Sequence, residues 1–284
     1  MNKPYLILCN PQSGKGKSMV YLAKLEAFLS ERNLVYQTFL KSYPPSLSAY
    51  TCLIIIGGDG TINHVLNHFR DIAIPIAFIP GGTGNDYASL HLRGLSLEQQ
   101  FELAIGQYTC HVDAGTCNNK LFINGVGIGF DGWVVKRNLG KRFFDGFMAY
   151  YSTIVSLLLF YKESHIHIKT PEAEWDQPAF MLSIAKGKTY GGGFMVAPLA
   201  SPVDGAFDFI SIAKIGLLKR FNYLPVIEKG RHLNLPFVTF NKTTHIEIEA
   251  QHPLQAHLDG EWMESKNFTL QILPKKYLVK SAVY

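Results

Sequence analysis

The sequence has few cysteines and no cysteine motif. Its four cysteines, Cys9, Cys52, Cys110 and Cys117, form no C-x-x-C pair among 284 residues. Two of them, Cys9 and Cys52, fall inside apolar runs that predict buried strands. We therefore expect four reduced thiols in a reducing compartment, which argues against a disulfide-stapled secreted fold.

Long hydrophobic runs are also absent. The longest apolar stretch, residues 143–161, is interrupted by Asp145 and Gly146 and is shorter than the roughly twenty residues that a spanning helix needs. The apolar run before Pro11 is too short for the hydrophobic region of a signal peptide. The sequence predicts a soluble, cytoplasmic protein.

Charged residues are sparse at 17%, whereas hydrophobic residues make up 47%. Such a chain can bury a large core, and its length suffices for two domains. The formal net charge of +5 favours an anionic partner but does not choose among phosphate, nucleic acid and an acidic membrane surface. No strand alternates aromatic and basic residues, so we expect no nucleic-acid binding.

Short β-rich runs alternate with helical patterns over the first hundred residues. This alternation predicts an α/β domain with a doubly wound parallel sheet over residues 1–108. The predicted strands are Tyr5–Cys9, 34–40, 52–56 and 74–79, and the predicted helices are 19–29 and 62–69. After residue 110, β-branched and aromatic runs dominate, with one helical segment over 145–161. Residues 109–284 are therefore predicted to form a mostly antiparallel β domain, whose last residues can return to the first domain.

Glycine-rich loops follow three of the predicted strands, at the sheet edge where doubly wound proteins bind ligands. They read NPQSGKG, GGDGT and PGGTGND. The first is not a Walker A loop, because Pro11 stands six positions before Lys17, where that motif requires glycine. In the second, Asp59 can face a metal or a phosphate-bound water, and Thr61 lies where helix amides point at an anion. An ordinary capped turn explains either loop alone, but the pair indicates a magnesium triphosphate site.

Two further segments carry oxygen ligands or carboxylates. LDGEW places Asp259 and Glu261 two residues apart, so that on a strand they would share one face and could share a proton. The alternative is a D-G hairpin turn. SPVDGA offers Mg²⁺ or Ca²⁺ the oxygens of Ser201, Asp204 and the Ala206 carbonyl, with an ordinary turn as the alternative.

Taken in order over nearly the whole chain, these motifs resemble the diacylglycerol kinase catalytic-domain family, which includes bacterial lipid kinases and sphingosine kinases. NPQSGKG, GGDGTINHVLN and PGGTGNDYA carry the resemblance in the first domain. DAGTCNNKLFINGVGIGFDG, GGGFMVAPLASPVDGAFD and LDGE carry it in the second. The resemblance implies an ATP-dependent kinase that transfers the γ-phosphate to a lipid hydroxyl, with Mg²⁺, in a cleft between two domains.

The resemblance also implies roles for individual residues. Asp59 and Asp86 would organise magnesium around the phosphates, and Glu261 would be the general base with Asp259 as its partner. Asp113 would be linked through water to a structural magnesium held by Ser201, Asp204 and Ala206. The implied nucleotide contacts are Asn10, Pro11, Gln12, Ser13, Gly14, Gly58, Asp59, Gly60, Thr61, Ile62, Asn63, His64, Thr83, Asn85 and Asp86.

Some points depart from the family pattern or leave alternatives open. His64 stands where the family has glutamate, which replaces a fixed charge by a group that titrates near neutral pH. A family threonine after the second strand has no clear counterpart among Thr38, Lys41 and Ser42. NAD kinases share GGDGT on a similar two-domain plan, and a non-catalytic nucleotide- or lipid-binding protein is a third reading. The acceptor, whether diacylglycerol, sphingoid base, ceramide or phosphatidylglycerol, is not predicted.

A basic and aromatic segment predicts peripheral contact with the membrane that holds the lipid substrate. Lys136, Arg137, Lys141 and Arg142 precede the aromatic residues that begin at Phe143, a composition typical of interfacial segments. Packing on the β domain explains residues 154–160 at least as well, so membrane contact is expected at the basic end only. The oligomeric state is left open, with a homodimer among the options.

Overall fold

The computed structural model describes residues 3–139 and 147–284, without the side chains of residues 147–150. The chain forms two compact units. Unit 1 contains Met1–Asp113 and Pro274–Tyr284, and unit 2 contains Ala114–Leu273. The boundary that the sequence places after residue 108 lies just before strand β5, Thr109–Cys117, which runs from unit 1 into unit 2.

Unit 1 is built around a parallel sheet with strand order β4-β3-β1-β2. At the β4 edge the end of strand β13 adds in parallel, through Val279 beside Ile76. The strands are β1 Tyr5–Cys9, β2 Tyr36–Phe39, β3 Cys52–Gly57, β4 Ile76–Pro80 and β13 Glu261–Lys280. All of β3 is buried, as expected of a parallel strand covered on both faces. The predicted α/β fold is confirmed.

Four helices connect the strands of unit 1: α1 Lys17–Glu31, α2 Asp59–His68, α3 Asp86–Leu92 and α4 Leu97–Ile105. The first two agree with the sequence prediction apart from their ends, and the apolar stripe of α1 is buried at Leu22, Leu25 and Leu29. Helices α3 and α4 were not predicted from the sequence. A local signal for α4 exists, because Ser96 and Gln99 form a reciprocal capping box at its start.

The C-terminal residues of unit 1 pack against α3 around His91. This side chain is fully buried, and its ring lies 5.0 Å from that of Tyr87 and 6.0 Å from that of Tyr284. Ala282 N donates to the His91 carbonyl at 2.9 Å. Burial lowers the pKa of His91 to about 4. The native unit therefore holds His91 as the neutral imidazole at neutral pH.

Unit 1 should lose stability as the pH falls from about 6.5 towards about 4. The unfolded chain protonates His91 near pH 6.5 and the folded chain only near pH 4, so in this window the unfolded state binds more protons and is favoured on acidification. The slope is about 1.4 kcal/mol per pH unit. We expect His91→Phe to lose about 2 kcal/mol less stability than the wild type between pH 7 and pH 5 in urea unfolding. Equal losses in both proteins would contradict the assignment.

Unit 2 is a mostly antiparallel β unit, as the sequence predicts. Its strands pair in the order β11-β10-β9-β7-β12-β13, while β8 pairs with both β9 and β12, and β6 with β5. The bounds are β6 Lys120–Phe122, β7 Gly125–Gly129, β8 Ser164–Lys169, β9 Glu174–Ala185, β10 Phe207–Ala213, β11 Val238–Thr243 and β12 His245–Leu258. The core between the strands is aliphatic and aromatic, with Phe207, Phe209 and Ile248 fully buried.

Three helices are described in unit 2: α5 Phe130–Asn138, α6 Phe147–Phe160 and α7 Leu217–Glu228. Only α6 was predicted from the sequence, so the expectation of a single helical segment was wrong. Ile154, Leu157 and Leu158 of α6 are buried in the core, in agreement with the packing alternative for this part of the chain. None of the described helices is long and apolar enough to cross a bilayer.

All four cysteines are free thiols, which confirms the sequence prediction. Burial raises the pKa of Cys9 to about 11 and that of Cys52 and of Cys117 to about 12. Because the thiolate is the reactive form, these three side chains are inert packing groups.

Candidate active site

The three glycine-rich loops lie at one edge of the unit 1 sheet. Loop A (residues 10–16) follows β1, loop B (57–61) follows β3, and loop C (80–86) follows β4. These strands are adjacent and parallel, so their carboxyl ends share one edge. The sequence prediction that the loops meet is therefore confirmed.

Loops A and B are joined through the hydroxyl of Thr61. Asn10 Nδ2 donates to Thr61 Oγ1 at 3.1 Å, and Ser13 Oγ lies 3.3 Å from the same oxygen. Loop A is held from its other side, since the Ser18 hydroxyl donates to the Asn10 carbonyl at 2.5 Å and Gln12 N donates to Asn10 Oδ1 at 3.0 Å. Asn10, Ser13 and Thr61 thus fix the shape of the loop edge.

Loops B and C are joined through the carboxylate of Asp59. Its Oδ2 accepts from Asp86 N at 3.0 Å and its Oδ1 accepts from Tyr87 N at 3.1 Å. Burial raises the pKa of Asp59, and the backbone hydrogen bonds oppose that shift. Asn85 holds loop C internally, because its side-chain amide exchanges two 2.9 Å hydrogen bonds with the backbone of Gly82. Asp59 is therefore the bridge between the two loops.

The loop backbones touch at glycines. A Cβ added to Gly82 would lie 2.4 Å from the Cα of Gly58, and one added to Gly14 would lie 2.2 Å from the Gly81 carbonyl oxygen. Gly14 also has a φ of +58°, in the left-handed region that favours glycine. These glycines are required because no side chain fits between the loops.

Gly82→Ala should separate loops B and C. The new methyl group would meet backbone atoms that cannot move without shifting β3 or β4, so we expect a loss of at least about 2 kcal/mol of stability and of nucleotide affinity. Gly216→Ala is the control, because a Cβ at Gly216 meets nothing within 4 Å. Thermal melting and nucleotide binding measure the two effects. Wild-type melting of Gly82→Ala would contradict the tight loop packing.

The remaining residues predicted to contact the nucleotide differ in how far they are exposed to solvent. Gln12, Gly60, His64 and Thr83 are exposed, and Pro11, Ser13 and Gly14 are half-buried. Ile62 and Asn63 turn their side chains into the interior, so only their backbone groups can face a ligand. Lys15 and Lys17 are exposed.

The two positions flagged as departures from the family lie away from the loop hydrogen bonds. His64 is exposed on α2, with its ring 5.9 Å from that of Tyr43. Thr38, one of the residues considered for the family threonine, donates to the Glu26 carboxylate at 2.7 Å. The hydroxyl of Thr38 is thus already bonded to a side chain of α1.

The LDGE segment forms a hairpin turn, which corrects the expectation that Asp259 and Glu261 share a strand face. Asp259 and Gly260 have φ values of +48° and +88°, as in the type I′ turns that favour Asp-Gly. The Asp259 carboxylate is buried and accepts three 2.9 Å hydrogen bonds from Ile123 N, Asn124 N and Gly125 N. It is a structural anchor and not a proton-sharing partner. Glu261 begins β13 and is exposed.

A polar cluster that was not predicted from the sequence contains His257, which lies on β12 two residues before the turn. Tyr190 donates to Asp131 Oδ2 at 2.9 Å, and its ring lies 5.2 Å from that of buried His257. Burial raises the pKa of Asp131 to about 6 and lowers that of His257 to about 4. A Cβ at Gly127 would clash with both Asp131 and His257. No local pattern could reveal the cluster, because its members come from three distant segments.

In the predicted metal loop, two of the three predicted ligands accept hydrogen bonds from a lysine. Lys186 Nζ donates to Asp204 Oδ1 at 2.6 Å and to the Ala206 carbonyl at 2.7 Å. Burial raises the pKa of Asp204, but the hydrogen bonds from Lys186 and Lys242 outweigh this and lower it. Asp113 belongs to unit 1, where its carboxylate accepts from Lys275 N at 2.9 Å. Among the described residues no group of three or more His, Cys, Asp or Glu side chains could hold a metal.

The basic segment is described only in part. Lys141, Arg142 and Phe143 lie outside the described residues. Lys136 is described, and its ammonium lies 5.0 Å from the Trp133 ring and 5.3 Å from the Trp262 ring. Both indoles are about one-third exposed, and Lys136 also pairs with Glu264 at 3.3 Å. Within the described part of this segment, the Lys136 ammonium therefore lies next to two exposed indole rings on the surface of unit 2.

Sequence profiles assign both units to known domains. The diacylglycerol kinase catalytic domain matches residues 4–117, and the YegS C-terminal NAD kinase beta sandwich-like domain matches residues 124–280. A diacylglycerol kinase catalytic domain followed by a YegS-type β domain places the chain in the lipid kinase class. The chain belongs to the diacylglycerol kinase and YegS-like lipid kinase family, as its motifs predicted.

Relatives over most of the chain bear lipid kinase names. YtlR of Bacillus subtilis (strain 168), whose name describes it as a lipid kinase, is 26% identical to this chain. The match covers 98% of this chain and 99% of YtlR. A diacylglycerol kinase of Staphylococcus epidermidis (strain ATCC 12228 / FDA PCI 1200) is 28% identical over 92% of this chain and 87% of its own. A crystal structure named as a diacylglycerol kinase from Bacillus anthracis str. Sterne has a TM-score of 0.73 at 18% identity, covering 98% of this chain and 97% of that one. This last similarity concerns the fold.

Proposed function

We propose that the protein is a cytoplasmic, ATP-dependent kinase that transfers the γ-phosphate of ATP to the hydroxyl of a membrane lipid. The observation that carries this proposal is the joining of loops A, B and C at one sheet edge by Thr61, Asp59 and four glycines. Glycines let the loop backbones pack closely and bring their amides together at the sheet edge, and the amides that begin α2 point at this edge.

Magnesium would enter with the nucleotide. Mg²⁺ in such enzymes is bound by one or two carboxylates together with substrate phosphates, and a protein cage of carboxylates is not required. The residues present fit that mode, because Asp59 and Asp86 are neighbours through the 3.0 Å hydrogen bond at the Asp86 amide. When bound, the ion would neutralise charge on the β- and γ-phosphates. Asp59 would orient this edge by holding the loop C amides in place.

Proton removal from the acceptor hydroxyl is assigned to Glu261. It is the remaining carboxylate of the LDGE segment, because Asp259 is saturated by backbone amides. Glu261 is exposed next to a turn that the Asp259 hydrogen bonds hold in place, so its backbone is anchored. Phosphoryl transfer asks the protein mainly to position the acceptor, accept its proton and balance charge.

The direct experiment supplies γ-labelled ATP and a panel of acceptors to the purified full-length chain. The panel contains diacylglycerol, a sphingoid base, ceramide and phosphatidylglycerol, with NAD as the competing acceptor. Labelled product from one lipid class and none from NAD is the expected result. Transfer to NAD alone would establish the NAD kinase alternative. Nucleotide binding without transfer to any acceptor would establish a non-catalytic protein on the kinase scaffold.

We further propose that unit 2 contacts the membrane at Trp133, Lys136 and Trp262. Exposed indoles beside a lysine match an interface that carries both acyl chains and anionic headgroups. The neighbouring Arg137 is exposed and adds positive charge. This contact would bring the acceptor lipid to a kinase whose described helices do not cross the bilayer.

Vesicle co-sedimentation tests the membrane contact. The wild type should bind vesicles containing phosphatidylglycerol, bind neutral vesicles weakly and release with rising salt. The double variant Trp133→Ala/Trp262→Ala should lose most of this binding. Tyr108→Ala, which removes an exposed aromatic ring from unit 1, is the matched control and should bind like the wild type. Binding that ignores lipid charge and salt would contradict the proposal.

A further inference from the structure

The Ser201–Ala206 turn contains a lysine ammonium at the point where sequence reasoning expects a divalent ion. Lys186 directly follows β9 and has no exposed surface. Its Nζ lies 2.6 Å from Asp204 Oδ1 and 2.7 Å from the carbonyl oxygen of Ala206. These two oxygens belong to the set predicted to ligate the metal. The ammonium therefore already bonds to two of the three groups that a hard cation would use.

A second lysine completes the charge balance. Lys242 on β11 donates to the other Asp204 oxygen and, at 2.8 Å, to Asp208 Oδ1. Two ammonium groups thus face the two carboxylates of Asp204 and Asp208. A divalent ion placed between Asp204 and Ala206 would add two positive charges within a few ångströms of both lysines. Coulomb repulsion at that range disfavours the ion strongly.

The backbone of the turn supports the same arrangement. Gly205 has a φ of +76°, a conformation that L side chains rarely adopt, and a Cβ there would meet nothing within 4 Å. Its role is therefore the backbone geometry that brings the Asp204 carboxylate and the Ala206 carbonyl to one ammonium. Pro202, on the same turn, is buried. The turn is closed around a group that the chain itself supplies.

We infer that Lys186 is a built-in substitute for a structural divalent ion. Its ammonium ties the end of β9 to the turn that precedes β10, and unit 2 thereby keeps this turn folded independently of metal concentration. Removing one member of a buried ion pair is strongly destabilising, so the role of Lys186 is measurable without any enzymatic assay. The inference does not depend on the proposed kinase activity.

Thermal melting of the full chain without nucleotide tests the inference. The wild type should melt at the same temperature in EDTA and in excess Mg²⁺ or Ca²⁺. Lys186→Ala should melt roughly 10 °C lower in EDTA, and either ion should raise its melting temperature by occupying the vacated oxygens. Lys186→Ala/Asp204→Asn should show no such rise. Lys169→Ala, which removes an exposed strand lysine, should melt like the wild type.

Several results would overturn the inference. One is a wild-type melting temperature that rises with Mg²⁺ and loses this response in Asp204→Asn. Another is a Lys186→Ala chain that melts identically in EDTA and in both ions. If Lys186→Ala does not fold, calorimetric titration of MgCl₂ into the wild type and Asp204→Asn decides. Equal heats of Mg²⁺ binding in the wild type and Asp204→Asn support the inference that Lys186 replaces the ion. Mg²⁺ binding that is lost in Asp204→Asn refutes it.

Discussion

Asp59→Asn should lower kcat/KM for phosphoryl transfer by roughly 10³-fold, the cost typical of removing one preorganised electrostatic group. The carboxylate accepts from two loop C amides, whereas asparagine offers one acceptor oxygen and turns an NH₂ group towards the other amide. Loop C would lose its attachment to loop B, and the negative charge available to order Mg²⁺ would be gone. Transfer from γ-labelled ATP to the accepted lipid measures the effect.

Lys17→Ala is the control for this experiment. Lys17 is the first residue of α1 and is exposed, with its ammonium 5.0 Å from the ring of Tyr21. In a Walker A loop the corresponding lysine would contact phosphate, but this loop lacks the required glycine. Its removal should leave kcat/KM within roughly twofold of the wild type. A severe loss in Lys17→Ala, or wild-type turnover in Asp59→Asn, would contradict this assignment of the loops.

Glu261→Gln and Asp259→Asn should fail in different ways. Glu261 is exposed, so the glutamine variant should melt like the wild type while kcat falls by roughly 10²–10⁴-fold, as expected for the loss of a general base. Asp259 anchors three amides, so the asparagine variant should lose about 3 kcal/mol of stability through its unpaired donors. Melting and turnover, measured on both variants, separate the chemical role from the structural one.

Glu264→Gln is the matched control for the Glu261 variant. Glu264 lies three residues further along the same strand, and its carboxylate pairs with Lys136 at the surface. Its replacement removes the same charge from β13 and should leave kcat near the wild-type value. If Glu264→Gln and Glu261→Gln slow transfer equally, the effect is one of surface charge, and Glu261 is not the base.

Local patterns predicted the parts of the fold that local chemistry determines. Strands β1 and β3 are continuous apolar runs, and glycine loops follow them at the expected edge. Helices α5 and α7 were not predicted because their sequences carry weak helix signals: α5 contains Gly132 and α7 contains Pro225. Tertiary packing overrides these weak propensities in the folded chain. Each of these residues normally argues against a helix interior.

In the candidate site, the spacing of residues in the sequence does not by itself predict their arrangement. Asp259 and Glu261 are two residues apart both on a strand and across a D-G turn, and only the positive φ angles separate the two cases. Lys186 was missed because a lysine at a strand end is ordinarily exposed. Its partners lie 18 and 20 residues away in the sequence, so only the folded chain brings them together.

Strand β13 contributes to the sheets of both units, and this determines which unit can complete its sheet first during synthesis. Its last residues add to β4 in unit 1, whereas its first residues pair with β12 in unit 2. The ribosome releases loops A, B and C before any part of unit 2, yet the β4 edge stays uncovered until residues 274–284 emerge. Unit 2 has all of its strands before that point. Unit 1 is therefore the later of the two units to acquire its full sheet, although most of its residues are synthesised before those of unit 2.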